Sequence, residues 1–165
     1  MPYTLPHLNA LPVVEFTTAL GAVFEHSPWI AERAAARRPF ASLDELHAAM
    51  CEIVTNAAPG EQLALIRAHP DLVGRIVLTA ESQSEQAAAG LTGLSAEEVA
   101  RFDRNNREYK ARFSFPFIIC ARLNKKDAIL AAFPIRLQNS AEEERATALA
   151  EIYKIARLRL TDIIQ

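Results

Sequence analysis

Apolar residues recur along this chain at the three- and four-residue spacing of amphipathic helices. In the segment that begins at Ser95, for example, Val99, Phe102, Tyr109 and Phe113 fall near one helical stripe. No stretch alternates convincingly with the period of two that a half-buried strand would show. The pattern predicts eight helices, near residues 9–25, 28–38, 43–57, 60–68, 79–90, 96–113, 124–138 and 141–163.

Three of these helices carry a recognisable start signal. Ser42, Ser95 and Ser140 are each followed three residues later by Glu. This is the capping box, in which each of the two side chains accepts a hydrogen bond from an unpaired backbone N–H of the first turn. Near the end of the seventh predicted helix, Pro134 is expected to kink or split it.

The segment "FPFIICA", residues 115–121, is the least certain element. Its composition would suit a short strand, but the chain offers no second strand with which it could pair. A helical turn or a buried connector is therefore expected here. We predict an all-α fold: one domain over residues 1–165, built as a compact bundle of about eight helices joined by short loops.

Composition narrows the classes of function. The chain has 165 residues, of which 50% are hydrophobic and 23% charged, and its net charge is −2. It has no basic stripe, so neither nucleic acid nor an anionic membrane is an expected partner. The beginning of the chain does not resemble a signal peptide, and no apolar run could cross a bilayer. Cys51 and Cys120 form no CxxC motif and suit reduced thiols, which favours a cytoplasmic protein.

His69 is the first candidate for chemistry, because it stands directly before Pro70 at the end of the helical segment "GEQLALIRA". A residue before proline is pushed out of the helical conformation, so the helix should stop there, and Asp71 could cap whatever follows. Taken alone, these residues favour that structural interpretation. The functional alternative is a catalytic acid or base held on a rigid corner.

The second candidate is the segment "TAESQSEQAAAGL", residues 79–91. On a helix, Ser82, Glu85, Gln86 and Ala89 share one face, which would suit a small ligand rich in N–H and C=O groups. Alternatively, Ser82 and Glu85 could form a capping box and serve only their own helix.

Two arginines of the last predicted helix, Arg157 and Arg159, lie on opposite shoulders of its apolar stripe. Helical geometry does not choose which of them points inward, and either could extend to solvent. The chain contains no phosphate-binding, dinucleotide-binding or metalloprotease motif, and its histidines and cysteines lack metal-ligand spacing. An enzyme of this sequence would therefore work without metal or nucleotide, on a substrate that supplies its own electron sink.

Four blocks, in order, resemble a known family. They are "AHPDLVGR", "LTAESQSEQAAAGL", "NREYKARFSFPFIICA" and "EIYKIARLRLTDI". Together they are similar to the 2-oxo-4-hydroxy-4-carboxy-5-ureidoimidazoline (OHCU) decarboxylase family of urate breakdown. The resemblance implies an all-α, cofactor-free enzyme that forms (S)-allantoin with loss of CO₂.

The resemblance also implies a site. It makes His69, Glu85 and Arg159 the catalytic residues, and so selects Arg159 over Arg157. It further implies that substrate contacts come from Pro70, Ser82, Gln83, Ser84, Gln86, Phe117, Ile118, Ile119, Cys120 and Ala121.

The chain departs from the family pattern in two places. The stretch from Gly74 to Leu78 is a few residues shorter than expected, and Ser114 stands where glycine is expected before "FPFI". Two other functions stay open: a non-catalytic all-α module that binds a ureide or a partner enzyme, and an enzyme acting on another carboxylated heterocycle. A homodimer is the candidate assembly.

Overall fold

The fold consists of helices joined by short connections, as the apolar spacing predicts. The computed structural model describes residues 2–74 and 77–165, and no β-strand occurs within those ranges. The helices are α1 (Leu5–Ala10), α2 (Val13–Leu20), α3 (Trp29–Ala35), α4 (Leu43–Thr55), α5 (Pro59–Arg67), α6 (Ala80–Ala88), α7 (Ala96–Phe113), α8 (Lys126–Arg136) and α9 (Ala141–Ile163). A short 3₁₀ turn, Ala121–Leu123, precedes α8.

The three predicted serine caps are confirmed, but the capping box predicted at Ser42 is wrong, because the Glu45 carboxylate accepts from the N–H of Ala41 at 2.6 Å and not from that of Ser42. The hydroxyl oxygens of Ser42, Ser95 and Ser140 accept hydrogen bonds from the N–H three residues on, at 3.1, 3.2 and 3.1 Å. At Ser95 and Ser140 the Glu side chain in turn accepts from the serine N–H, at 3.1 and 2.7 Å, which completes the capping box. These pairs explain why α7 and α9 begin where they do.

The prediction of a single helix over residues 9–25 is wrong. The chain forms α1 and α2 there instead, with Leu11 in an extended conformation (φ −64°, ψ 146°) between them. The cause is Pro12, which has no N–H to donate and which excludes the helical conformation at the residue before it. The other predicted helices match observed ones within a few residues.

Pro134 does not split the seventh predicted helix, because α8 continues past it to Arg136. The buried connector is confirmed. Residues 115–121 are all buried, and residues 116–120 adopt no regular secondary structure.

Ser114 ends α7 in the left-handed conformation, with φ 62° and ψ 22°. Its N–H donates to the carbonyl of Lys110 at 2.9 Å, so it closes the last turn as glycine commonly does. The glycine that the resemblance leads us to expect here would adopt this conformation without a steric penalty. Serine keeps the same backbone turn at a cost in strain.

The helices group into two compact units. One extends up to Ala68 and resumes from Tyr153 to Gln165, and the other is His69–Ile152. The expectation of one domain over residues 1–165 stays a prediction. In the first unit α3 packs against α2 and α4, and in the second α7 packs against α8 and α6 against the 3₁₀ turn.

The first unit also pairs its two chain ends. Tyr3 donates its N–H to the carbonyl of Ile163 at 2.7 Å, and Gln165 donates to the carbonyl of Tyr3 at 2.9 Å. Tyr3 and Ile164 thereby form an isolated parallel bridge.

Candidate active site

His69 lies on the corner that its sequence predicts. Helix α5 ends at Arg67, and Ala68 closes the last turn by donating to the carbonyl of Ala64 at 2.9 Å. His69 follows with only 9% of its surface exposed. The expected helix stop is confirmed, but the expected cap is wrong. No helix begins at Asp71 or in residues 72–74, and α6 starts at Ala80 with Thr79 as its cap.

Two side-chain amides hold the three residues that follow Pro70. The amide of Gln86 accepts from the N–H of Val73 at 3.1 Å and donates to the carbonyl of Asp71 at 3.4 Å. Asn106, buried on α7, donates to the carbonyl of Leu72 at 2.8 Å. This loop would otherwise leave buried backbone groups unpaired, so the two amides fix the path of the chain just after His69.

Val73 has a left-handed backbone, with φ 57°. A β-branched residue rarely adopts this conformation, and the surrounding hydrogen bonds must compensate for the strain. A further tie is the ion pair of Lys110 with Asp71, at 2.9 Å. The shortened stretch between Gly74 and Leu78 lies partly outside the described residues.

Helix α6 presents the polar face that its spacing predicts. Ser82 and Gln86 are buried and Glu85 is half-buried, whereas Gln83 and Ser84 are exposed. The alternative of a capping box at Ser82 is wrong. Ser82 lies within the helix and donates its N–H to the hydroxyl of Thr79, at 3.2 Å.

The C-terminal end of α6 is capped, as its N-terminal end is by Thr79. Gly90 has φ 79°, and its N–H donates to the carbonyl of Ala87 at 3.0 Å, while Leu91 donates to the carbonyl of Gln86, also at 3.0 Å. This pair of bonds is the Schellman motif. The ammonium of Lys125 also donates to the carbonyl of Ala88, at 2.9 Å. A helix of nine residues is thereby held rigidly enough to aim a binding face.

The buried connector supplies backbone groups rather than side chains. Within 117–121, the carbonyls of Ile118, Cys120 and Ala121 accept hydrogen bonds. Across the described residues, the N–H groups of 117–121 donate to no backbone carbonyl outside the helices. Buried N–H groups of this kind suit a ligand that carries oxygen acceptors.

Helix α6, which carries Glu85, packs against the 3₁₀ turn at the end of this connector. Burial raises the pKa of the Cys120 thiol, and the carboxylates of Glu151 and Glu85 raise it further, against the opposing effect of the Leu123 N–H. The Cys120 thiol therefore stays protonated at neutral pH and acts as a neutral part of the wall.

The last helix resolves the choice between its two arginines. Arg159 is buried and donates to the carboxylate of Glu25 at 2.9 Å and to the carbonyl of Ala22 at 3.0 Å. Arg157 is partly exposed and donates to Asp44 at 2.7 Å. Arg159 is the inward residue, in agreement with the choice that the resemblance makes.

Three of the predicted groups therefore occur in one unit: the His69 corner, the polar face of α6, and the connector 117–121. Arg159 belongs to the other unit. The convergence of His69, Glu85 and Arg159 on one substrate stays a prediction.

Sequence reasoning missed two residues that support the candidate site. Asn106 is a polar residue on the otherwise apolar stripe of Phe102, Tyr109 and Phe113. A polar residue at a buried position of this kind indicates a specific hydrogen bond, and the sequence alone could have shown it. Glu25, which holds Arg159, lies 134 positions from its partner, and no local pattern links them.

A groove of about 720 Å³ also lies in the second unit, beside the same loop. It is lined by Asp71, Val73 and the face of α7 that carries Asp103 and Arg107. Its charges are already paired, Lys110 with Asp71 and Arg107 with Asp103, and none of the predicted catalytic residues lines it. It is not the site that the sequence predicts.

Neither a metal cluster nor a membrane span emerges from the part of the chain that the structure describes. Its His, Cys, Asp and Glu side chains nowhere form a group of three or more that could hold a metal ion. Within the same residues, no helix is long and apolar enough to cross a membrane.

Comparison with known proteins gives one consistent result. A sequence profile described as OHCU decarboxylase matches residues 9–161. The 2-oxo-4-hydroxy-4-carboxy-5-ureidoimidazoline decarboxylase of Haloferax volcanii is 45% identical over 159 residues, which cover 96% of this chain and 95% of that relative.

Two solved structures share the fold. The crystal structure of an (S)-allantoin synthase superposes with a TM-score of 0.81 at 31% identity, over 98% of this chain and 54% of that one. The crystal structure of an OHCU decarboxylase in the presence of (S)-allantoin gives 0.70 at 27% identity, over 90% and 95% of the two chains.

Proposed function

The chain belongs to the OHCU decarboxylase family, and we propose that His69, Glu85 and Arg159 carry out the family's reaction in it. The chain is a carboxy-lyase of urate degradation, which converts 2-oxo-4-hydroxy-4-carboxy-5-ureidoimidazoline to allantoin and CO₂. The observation that carries the assignment of residues is the tie between the His69 loop and α6. The same helix face that presents Glu85 also holds the chain beyond His69, through Gln86.

The substrate explains why such residues suffice. It carries a hydroxyl and a carboxylate on one ring carbon, next to a ring C=N. When the bond to the carboxylate breaks, the electron pair passes into that imine, and CO₂ leaves. The hydroxyl then gives up its proton and becomes a carbonyl, while the former imine nitrogen and the former imine carbon each take up a proton, so that one proton is consumed overall. Because the imine accepts the electrons, the protein has only to position the substrate, exclude water and move protons.

His69 is the proton carrier in this proposal. Histidine is the side chain best suited to proton exchange near neutral pH, and general acid–base help of this kind contributes about 10²–10⁴ in rate. Delivery from one face would yield one enantiomer, (S)-allantoin. Glu85 accepts hydrogen bonds from the ureido or ring N–H groups, or orients His69.

Arg159 favours negative charge that develops on the ring oxygens and nitrogens. Holding the carboxylate itself too tightly would oppose the reaction, because that charge disappears as CO₂ leaves. The planar guanidinium is already oriented by Glu25 and Ala22, and Lys could not reproduce this geometry.

Substrate contacts are proposed for Pro70, for residues 82–84 and Gln86 on α6, and for the backbone of 117–121. Ser82 and Gln86 are the buried members of the α6 set. The amide of Gln86 would serve two roles, since it also holds Asp71 and Val73.

The test is to add the protein to freshly generated products of urate oxidation and to follow (S)-allantoin by circular dichroism. We expect clear acceleration over the spontaneous reaction. Absence of acceleration would favour the non-catalytic module, and activity only on a different carboxylated heterocycle would favour the other enzyme.

The role of His69 is tested by His69→Ala in the same assay. We expect a loss of about 10²–10⁴-fold in rate with a melting temperature close to that of the wild type, because Pro70 still ends the helix. A destabilised variant whose folded fraction keeps near-normal turnover would make His69 a structural residue.

Location and assembly complete the proposal. A cytoplasmic location is supported by two free thiols, Cys51 and Cys120, and is tested by cell fractionation. A homodimer is tested by sedimentation at several protein concentrations, where a mass of one chain throughout would refute it.

A further inference from the structure

A buried polar cluster lies directly behind the connector 117–121, and the proposed reaction does not use it. Arg136 on α8 donates from Nε to the carboxylate of Glu144 at 2.7 Å, and both side chains are almost wholly buried. The hydroxyl of Tyr109 donates to the same carboxylate at 2.5 Å, and Asn139 donates to its other oxygen at 2.9 Å. The positive charge of Arg136 and the negative charge of Glu144 are therefore paired with each other within this cluster.

Arg136 also reaches the connector. Its NH1 donates to the carbonyl of Ile118 at 2.5 Å, and its guanidinium lies 4.1 Å from the centre of the Phe117 ring. Phe117 is in turn stacked on Phe133, with ring centres 3.8 Å apart. One guanidinium therefore binds the connector through both a carbonyl and an aromatic ring.

The consequence lies in the geometry of the peptide unit. The carbonyl of Ile118 and the N–H of Ile119 belong to one planar trans peptide, so they point in opposite directions. With the carbonyl fixed on Arg136, the N–H of Ile119 is directed away from the cluster. That N–H donates to no backbone carbonyl in the part of the chain that the structure describes.

We propose that Arg136 is a positioning residue, which fixes the 118–119 peptide so that the N–H of Ile119 is presented to an oxygen of the substrate. This inference rests on the proposed function, since it takes the connector as part of the substrate site. Arg136 touches no substrate itself, and it acts through the backbone of Ile118.

Stability alone is a poor reason for such a cluster. A buried ion pair loses the favourable hydration of both charges, and apolar residues of similar volume often give equal or greater stability. What apolar residues cannot do is bind the carbonyl of Ile118 and hold one peptide orientation. Tyr109 and Asn139 hold the carboxylate of Glu144, and Glu144 in turn holds the guanidinium of Arg136 in this orientation.

The decisive variant is Arg136→Lys, which keeps the positive charge but cannot bond Glu144 and Ile118 together with a planar fork. We expect KM, and the dissociation constant for (S)-allantoin measured by calorimetry, to rise about tenfold, the size of one lost hydrogen bond. We expect kcat to change less than about threefold. A normal KM with reduced stability would show that the cluster is only structural and would overturn the proposal.

Arg112→Lys is the matched control. Arg112 also donates to a backbone carbonyl, that of Asn139 at 2.9 Å, and also lies over a phenylalanine ring, but it is exposed and bonds neither Glu144 nor Ile118. We expect its KM to equal that of the wild type. An equal rise in both variants would refute the specific role of Arg136.

Should Arg136→Lys fail to fold, the double variant Arg136→Met/Glu144→Met removes both charges and keeps an apolar core. We expect it to fold and to show the same rise in KM. A folded double variant with the KM of the wild type would overturn the proposal.

A measurement without substrate separates this inference from the proposed function. In protein labelled with ¹⁵N-isoleucine, the NMR signal of the Ile119 amide should move or broaden in Arg136→Lys and stay unchanged in Arg112→Lys. If the wild type neither turns over substrate nor binds (S)-allantoin, the proposed function fails, while the Ile119 signal still decides the positioning. An unchanged Ile119 signal in Arg136→Lys would refute it.

Discussion

Replacing Glu25 by Gln tests whether Arg159 depends on its buried partner. The side chains of Arg159 and Glu25 are only 5% and 1% exposed, and they form an ion pair at 2.9 Å. In Glu25→Gln the amide oxygen can still accept a hydrogen bond, but the side chain no longer carries the negative charge that faces Arg159. Breaking a buried pair in this way costs about 3–5 kcal/mol, and the retained hydrogen bond places Gln near the lower end.

Urea unfolding followed by circular dichroism at 222 nm measures this cost. With a slope of about 2 kcal/mol per molar urea, a loss of about 3 kcal/mol moves the midpoint down by roughly 1.5 M. The matched control is Glu52→Gln, which breaks the ion pair of Glu52 with Arg37. Those side chains are 61% and 40% exposed, so we expect a change below about 1 kcal/mol.

The comparison has a clear refuting outcome. If Glu25→Gln and Glu52→Gln lose similar stability, Arg159 is hydrated in the folded protein, and its ion pair with Glu25 contributes no more than an exposed pair does. If Glu25→Gln loses stability as expected, the rate of allantoin formation per folded molecule should also fall, because the guanidinium is no longer held in one plane. Unchanged turnover in the folded fraction would show that the orientation of Arg159 does not matter for the reaction.

Three further predictions follow from the structure. Burial raises the pKa of the Cys51 thiol to about 12, so between about pH 9 and pH 12 the folded protein keeps this thiol protonated while the unfolded chain loses the proton, and stability falls as pH rises through that window. Alkylation of Cys51 at pH 9 should be at least about tenfold slower than in urea, and equal rates would contradict its burial. Ser114→Gly should be about 1 kcal/mol more stable than Ser114→Ala in urea, because both lose the hydroxyl but only glycine adopts φ 62° without strain; equal midpoints would remove that explanation. Exhaustive chelation should leave decarboxylation unchanged, and activity that is lost to a chelator and restored by one divalent ion would refute the metal-free mechanism.

Local signals in the sequence predicted most of the fold. The capping serines at 42, 95 and 140 act through residues three positions away, so their effect is visible in the sequence itself. The prediction of one helix over residues 9–25 is wrong because apolar spacing continues across Pro12 while the helix does not. Proline has no N–H to donate, so it interrupts the helix whatever the spacing of its neighbours. Boundaries elsewhere differ by a few residues, because helix ends depend on the caps that tertiary contacts supply.

The candidate site could be predicted only in part. The face of Ser82, Glu85 and Gln86 follows from helical periodicity, and the structure bears it out. The inward choice of Arg159 does not, since it depends on the carboxylate of Glu25 from a distant part of the chain. The hydrogen bond from Arg136 to the carbonyl of Ile118 could not be predicted either. A charged residue near Pro134 is expected on the surface unless its buried partners are known.

The pairing of Tyr3 with Ile163 and Gln165 brings the two ends of the described chain within hydrogen-bond distance. A linker of a few small residues could therefore join them, and the chain could be reopened at the exposed Gly93, where an added Cβ would meet nothing within 4 Å. Such a circular permutant would turn the most distant contact in the sequence into a local one. Since distant pairings are entropically costly to close during folding, the rearranged chain should form this bridge early, and refold faster where that closure limits the rate.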